Sequence, residues 1–259
     1  MAPTVVLLHA FPLDHRLWDS VVDPIAAADW DVVVPDLRGF GGSSFGDELP
    51  DDEPSLSVMA RDVLAALDRM GLASVVLGGL SLGGYVAMEI ARQDPDRIAA
   101  LVLADTKASA DSDEARDTRL RVADQVLEAG STEALARAML PNLLGPTTTA
   151  TRPGVVETVR GWIHDAEPAG VAWAQRAMAA RPDSHHDLAR LTVPSLVLWG
   201  EEDVLAPAAE QRSMLEVLRD AREVLVPAAG HLSAVEDPVA VTDALLSFLH
   251  DIRRLPQSS

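Results

Sequence analysis

Residues 78–84 read Gly78-Gly79-Leu80-Ser81-Leu82-Gly83-Gly84, and the architecture of the chain is visible in what flanks them. Ser74-Val75-Val76-Leu77 has the β-branched, apolar composition of a strand buried on both faces. Tyr85 to Ile90 suits the helix that leaves it. Glycines two residues before and two residues after Ser81 allow a turn so tight that a Cβ at either place would meet neighbouring backbone, with the serine held in a strained conformation. Its Oγ then stands at the carboxyl edge of a sheet, beside the first amides of a helix, where negative charge is favoured. Strand, Gly-x-Ser-x-Gly, helix is the geometry of a nucleophile. The pentapeptide alone also fits a glycine-rich connection with an incidental serine, and the weight against that reading comes from the remaining loops.

Upstream, Thr4 to Leu8 reads as a buried parallel strand ending in His9-Ala10-Phe11-Pro12. Helical spacing over Asp14 to Val22 precedes a second strand, Asp31 to Pro35, and a polar loop, Asp36 to Ser43. Leu56, Val63, Leu64, Leu67 and Met70 recur at helical spacing, with Gly71 as the stop. Downstream of the serine, Asp94-Pro95 closes the helix and Ile98 to Ala104 forms another strand, ending at Asp105. This alternation predicts βαβ units and a parallel sheet covered on both faces. From about Lys107 to Asp187 no strand pattern appears. Helical segments are punctuated there by Gly130, Pro141, Gly145-Pro146, Pro153 and Pro168, the last two placed as first helical residues. These helices are expected to cover the carboxyl edge of the sheet. The sheet resumes with Pro194 to Trp199, followed by Gly200-Glu201-Glu202-Asp203, a helix from about Pro207 to Arg219, a strand Glu223 to Val226, the loop Pro227 to His231 and a last helix, Val239 to His250. Pro256 to Ser259 is expected to fray.

A serine hydroxyl needs a base, and the base needs a carboxylate to orient it and balance its charge. With this turn the three follow in the order Ser, acid, His. Asp203 and His231 each follow a later strand at its carboxyl end, where open α/β sheets place their sites. Asp105 is the second candidate for the acid, and Glu201 and Glu202 adjoin the first. Charge developing on a substrate oxygen calls for donors set in advance. The amides of Leu82, directly after the serine, and of Phe11, in the loop leaving the first strand, are the candidates, with the Phe11 ring lining the pocket. Trp162 and Met139 in the helical segment, with Leu205 and Leu232 beside the acid and the base, are the candidate substrate-lining residues. Trp173 and Met178 fall on the same helices and suit a core equally well.

Composition narrows the chemistry. The 259 residues are 48% hydrophobic, ample for a packed core, and 40 acidic against 21 basic residues give a formal charge of −19. Such a charge repels nucleic acid and anionic membranes. Twenty of the cations are arginine and only Lys107 is lysine. The chain has no cysteine, which excludes disulfides, thiolate catalysis and cysteine metal sites. The amino terminus lacks a signal-peptide pattern and no run reaches the ~18 apolar residues of a membrane span, so a cytoplasmic protein, monomer or homodimer, is expected. No metal or cofactor is expected. His185-His186 reads as an exposed loop pair, His164 and His15 as surface or packing groups, and His9 as a buried group fixing its loop. Asp47 to Glu53 reads as a solvated acidic loop.

Taken together, His9-Ala10-Phe11-Pro12, Asp36-Leu37-Arg38-Gly39-Phe40-Gly41, Gly79 to Gly83, Gly200 to Asp203 and Gly230-His231 resemble the α/β-hydrolase fold family over nearly the whole chain. Ala10 departs from the His-Gly usual in that family's first loop. The resemblance implies a mostly parallel sheet of about six strands, because the chain starts at what is usually the third strand and lacks the leading hairpin. It implies a core of residues 1–106 and 188–259 with a helical cap of residues 107–187. Asp105-Thr106-Lys107 and the helices after it look like the cap of carboxylesterases and 3-oxoadipate enol-lactonases. The implied activity is a cofactor-independent serine hydrolase, with catalytic Ser81, His231 and Asp203, cleaving a small-molecule carboxylic ester or lactone through an acyl-enzyme. Enol-lactone hydrolysis, C–C bond hydrolysis and perhydrolysis are alternatives on the same triad, and a non-catalytic binding module is the third reading. An enol-lactone of a dicarboxylic acid would need a cation in the pocket, for which Arg137, Arg160 and Arg176 are the candidates.

Overall fold

The computed structural model describes residues 3–45 and 52–254. Most of the acidic loop Asp47 to Glu53, and the tail Pro256 to Ser259, lie outside the described residues.

Six parallel strands form one sheet. β1 (Thr4–Leu8) lies between β2 (Asp31–Val33) and β3 (Val75–Leu80). The sheet continues through β4 (Ile98–Ala104), β5 (Ser195–Gly200) and β6 (Ala221–Val226). β1, β3 and β5 are buried along their whole length, as their unbroken apolar runs require when helices cover a sheet. Leu8 pairs with Gly79, Leu80 with Ala104 and Ala104 with Leu198. The register therefore brings the carboxyl ends of four strands to one edge.

Helix α1 (Asp19–Ala27) packs on the last helix, α12 (Pro238–Arg254), and α2 (Leu56–Arg69) packs on α3 (Leu82–Gln93). Local chemistry sets their ends. The Ser55 hydroxyl accepts the amide of Val58 at 3.3 Å to start α2, and Gly71, at φ +69°, ends the turn after it. Between β4 and β5 run α4 (Asp113–Ala129), α5 (Glu133–Leu143), α6 (Pro146–Thr151), α7 (Pro153–Asp165), α8 (Pro168–Ala179) and α9 (His185–Arg190). Pro153 and Pro168 open their helices, where a missing N–H is harmless. α10 (Ala208–Val217) joins β5 to β6, and a single turn, α11 (Ser233–Glu236), follows the last strand. None of these helices is long and apolar enough to cross a membrane.

Several boundaries differ from the sequence expectation: β2 stops at Val33, β6 begins at Ala221, α1 begins only at Asp19, after a short turn of helix at His15–Trp18, and the last helix starts at Pro238 and runs on to Arg254. β3 runs through Gly78 and Gly79 up to Leu80, because backbone bonding to β1 and β4 on both sides outweighs the poor strand propensity of glycine. Pro141 lies inside α5 instead of ending it; it sits in the last turn and is exposed, so the Arg137 carbonyl that loses its donor is near water. His185 begins α9 instead of standing in a loop, its amide bonded to the Asp183 carboxylate at 2.9 Å.

Helix α3 meets β1 closely at Gly83, where an added Cβ would overlap the Leu8 carbonyl. Gly83→Ala is expected to push α3 off β1 and lower unfolding stability by about 3 kcal/mol, readable from the urea midpoint. Gly154→Ala, with open space at the Cβ position, is the matched control.

Candidate active site

Ser81 adopts φ +54° and ψ −109°, a region that non-glycine residues rarely enter. Its amide donates to Ala104 O at 3.0 Å and its carbonyl accepts the Thr106 hydroxyl at 2.9 Å, so the end of β4 and the loop just after it hold the bend from both ends. A Cβ on Gly79 would overlap the Gly83 carbonyl, and one on Gly84 would overlap the Thr106 side chain.

His231 reaches this serine from the loop after β6. Its Nε2 lies 2.8 Å from Ser81 Oγ and its Nδ1 lies 2.8 Å from Asp203 Oδ2. All three side chains are buried. The other Asp203 oxygen, Oδ1, accepts the amides of Leu205 at 2.8 Å and Ala206 at 3.0 Å, which fixes the carboxylate plane. With Asp203 as acceptor, the proton sits on Nδ1 and leaves Nε2 free to accept from the serine.

Asp105 does not face His231. Its Oδ1 accepts the Gly200 amide at 2.8 Å, and its Oδ2 meets the hydroxyl and the amide of Ser233. It thereby links the strand that carries Asp203 to the loop that carries His231. Complete burial pushes its pKa well above the usual carboxylate value, and the nearby Asp203 charge pushes the same way.

The loop after β1 is fixed by His9. Its Nδ1 donates to Ala10 O at 3.0 Å and its Nε2 accepts the Leu37 amide at 2.9 Å, which uses both ring nitrogens in the neutral form. Burial lowers its pKa, consistent with that state. The amides of Phe11 and Leu82 donate to no protein acceptor among the described residues. Leu82 is the first residue of α3, where the helix dipole also favours an anion.

Ser81 and His231 open onto a cavity of about 570 Å³. Phe11, Met139 and Leu205, candidates from the sequence, line it, and so does Met178, whose position suited a core equally well. Tyr85, Lys107, Arg119 and Gln175 line it too, and sequence reasoning passed over all four; Lys107, the only lysine in the chain, carried a visible signal. Two expected lining residues are elsewhere. Trp162 lies along a separate cleft beside Pro12 and Leu13, under the guanidinium of Arg16, and Leu232 is fully buried in the core. Arg137 and Arg160 line a second cavity of about 370 Å³ with His164, and Arg176 pairs with Asp124 on the surface. Trp173 packs edge-on against Phe45. Among the described residues, Asp14, His15 and Asp36 are the group near enough together to hold a metal ion. Their atoms are already engaged, since Asp14 takes the fork of Arg16 and Asp36 takes His15 and the Gly42 amide.

The model of the alpha/beta hydrolase fold matches residues 3–238. A thermophilic esterase from Thermogutta terrifontis, solved with malate bound, superposes with a TM-score of 0.92 at 39% identity over 97% of this chain and 91% of its own. The enol-lactonase of Burkholderia xenovorans gives 0.87 at 28% identity over 96% and 92%. The pimeloyl-[acyl-carrier protein] methyl ester esterase of Aeromonas hydrophila is 28% identical over 95% of each chain.

The raised pKa of Asp105 has a signed consequence for stability. The unfolded chain ionises this carboxyl near its ordinary value of 3.8 while the fold resists ionisation, so the stability present below that pH is lost as the pH rises toward the folded pKa. Asp105→Asn removes this loss. As the pH rises above about 4, toward the raised folded pKa, the unfolding free energy of the variant is expected to gain on that of the wild type by up to about 1.4 kcal/mol per pH unit. A pH-independent difference in urea titrations would show that the carboxyl is ionised in the fold.

Proposed function

The chain belongs to the α/β-hydrolase fold family, and we propose that it hydrolyses a carboxylic ester or lactone through an acyl-enzyme on Ser81. The observation that carries this reading is the unbroken run from Asp203 through His231 to Ser81, two contacts of 2.8 Å each, opening on a cavity of about 570 Å³. Esterases and an enol-lactonase among its relatives support the bond type.

In this mechanism His231 Nε2 takes the hydroxyl proton as Ser81 Oγ attacks the substrate carbonyl carbon. The carbonyl π electrons move to oxygen, and the oxyanion is received by the amides of Leu82 and Phe11, donors with no reorganisation left to make. Asp203 holds the imidazolium in register and balances its charge. When the tetrahedral intermediate collapses, the C–O bond to the alcohol breaks and the proton passes from His231 to the departing oxygen. Water then adds to the acyl-enzyme by the same route, releasing the acid and restoring Ser81.

We assign residues 107–187 to a cap over a core of residues 1–106 and 188–259. Residues from both parts line the cavity, from Lys107, Arg119, Met139 and Gln175 on one side to Phe11, Ser81, Leu205 and His231 on the other. Substrate choice would then lie mostly in the cap side. A binding module that leaves the bond intact is the weaker reading, because a pure binder has no need of a hydrogen-bonded serine, histidine and aspartate.

Ser81→Ala should reduce turnover of p-nitrophenyl butyrate on the order of 10⁴-fold or more, and abolish labelling by a fluorophosphonate probe. Equal turnover by the wild type and this variant would end the proposal. Asp203→Asn should lower kcat on the order of 10⁴-fold through the wrong histidine tautomer, whereas Asp105→Asn, which touches Gly200 and Ser233 but not the imidazole, should cost far less.

A further inference from the structure

The charge distribution of the cavity sets it apart from the rest of the molecule. The chain carries a net −19, yet the cavity wall contributed by the helical segment, together with the side chains directly behind it, holds more cations than carboxylates. Lys107 and Arg119 line it, and Arg181 lies behind them with its guanidinium 4.2 Å from the centre of the Tyr85 ring. Facing these three cations are two carboxylates. Asp111 is almost completely enclosed, and Glu114 is exposed.

Asp111 is shared three ways. Arg119 Nε lies 2.5 Å from it and Arg181 2.8 Å, whereas the Lys107 ammonium is 3.7 Å away, beyond hydrogen-bond distance. Burial acts to raise the Asp111 pKa, and the two guanidiniums outweigh it, so the carboxyl stays ionised below its ordinary value. Both guanidiniums meet the same oxygen, Oδ2, and the Lys107 ammonium is the cation nearest Oδ1. Arg181 is further occupied by the carbonyls of Met178 and Ser109. Lys107 is left with no hydrogen-bond acceptor among the described residues, its side chain only 21% exposed. Gln175, itself buried, gives its Oε1 to Arg119 at 3.1 Å, and its Nε2 has no protein acceptor among the described residues. An ammonium and an amide N–H₂ therefore face one cavity with donors to spare.

Resting on the hydrolase reading above, we infer that the cavity takes esters or lactones bearing a free carboxylate remote from the scissile carbonyl, received by Lys107 Nζ and Gln175 Nε2 with Arg119 behind. A carboxylate satisfies both donors and the surplus positive charge. A neutral chain of the same length would leave a partly desolvated ammonium without a hydrogen-bond acceptor, with only its looser ion pair to Asp111 in compensation, and that asymmetry is a source of discrimination. The compact ammonium of a lysine, on its flexible stem, also suits a point contact to one carboxylate better than a bidentate fork. Arg137, Arg160 and Arg176, the cations suggested by sequence, are not among the residues lining this cavity.

The test compares monoethyl succinate, glutarate and adipate with ethyl butyrate, valerate and hexanoate in a pH-stat assay, read as the ratio of kcat/KM for charged over neutral substrate. Wild type is expected to favour the charged ester by about tenfold or more at the chain length that fits. Lys107→Met and Lys107→Gln should each lower that best ratio by about tenfold or more, and Lys107→Arg should keep most of it. Wild-type ratios at or below one at every length, or unchanged ratios in both uncharged variants, would overturn the inference while leaving the hydrolase reading intact. Turnover of neither series would remove the hydrolase reading and this inference with it.

Discussion

A single residue in a forbidding backbone region is the constraint on which the site is built. Ser81 at φ +54° and ψ −109° gains nothing from its own chemistry in that conformation. The neighbours impose it. β1 approaches so closely that position 83 tolerates no side chain, and the end of β4 with the loop after it grips the bend through Ala104 and Thr106. The strain therefore draws on the packing of the central sheet, and the serine is as rigid as the strands on either side of it. That rigidity matters because the hydroxyl must stay within hydrogen-bond reach of an imidazole 150 residues further along the chain.

Two carboxyls lie side by side beneath that imidazole and their surroundings separate their duties. Asp203 has two backbone amides on one oxygen and His231 on the other, so it holds the ring. Asp105 has only backbone amides and the Ser233 hydroxyl, and it ties the two loops together. A third buried carboxyl extends the scaffold. Glu236 accepts the amides of Gly230 and Leu232, on either side of His231, and that of Gly145 from the helical segment. Gly145 and Gly230 meet so closely that a Cβ on either would strike the other's backbone. The histidine loop is thus anchored to the sheet on one side and to the α5–α6 connection on the other.

The burial of these acids is tolerable because each is fully hydrogen-bonded, mostly to backbone amides instead of cations. Cations are concentrated instead around Asp111, on the opposite wall of the cavity. One cavity thus has two unlike ends, a hydroxyl and imidazole at one and unsatisfied positive donors at the other. A molecule filling it would be oriented by that difference before any reaction began.

Much of this could be read along the chain. Unbroken apolar runs such as Thr4–Leu8 and Ile98–Ala104 specify doubly covered parallel strands, Gly79 and Gly83 specify the bend at Ser81, and Pro153 and Pro168 specify helix starts, because backbone geometry at each place follows from residues a few positions apart. The order of serine, acid and histidine follows from the same local signals at strand ends. Which carboxyl would meet the imidazole did not follow, since Asp105 and Asp203 both end a strand at the same edge and differ only in where the packed loops aim them. Nor did the cavity wall: Trp162 and Leu232 had plausible positions in the chain and lie elsewhere, while Lys107, Arg119 and Gln175 converge on it. The orientation of a helix about its axis, and hence which side chains share a cavity, is set by contacts between segments far apart in the chain, and no local pattern encodes that.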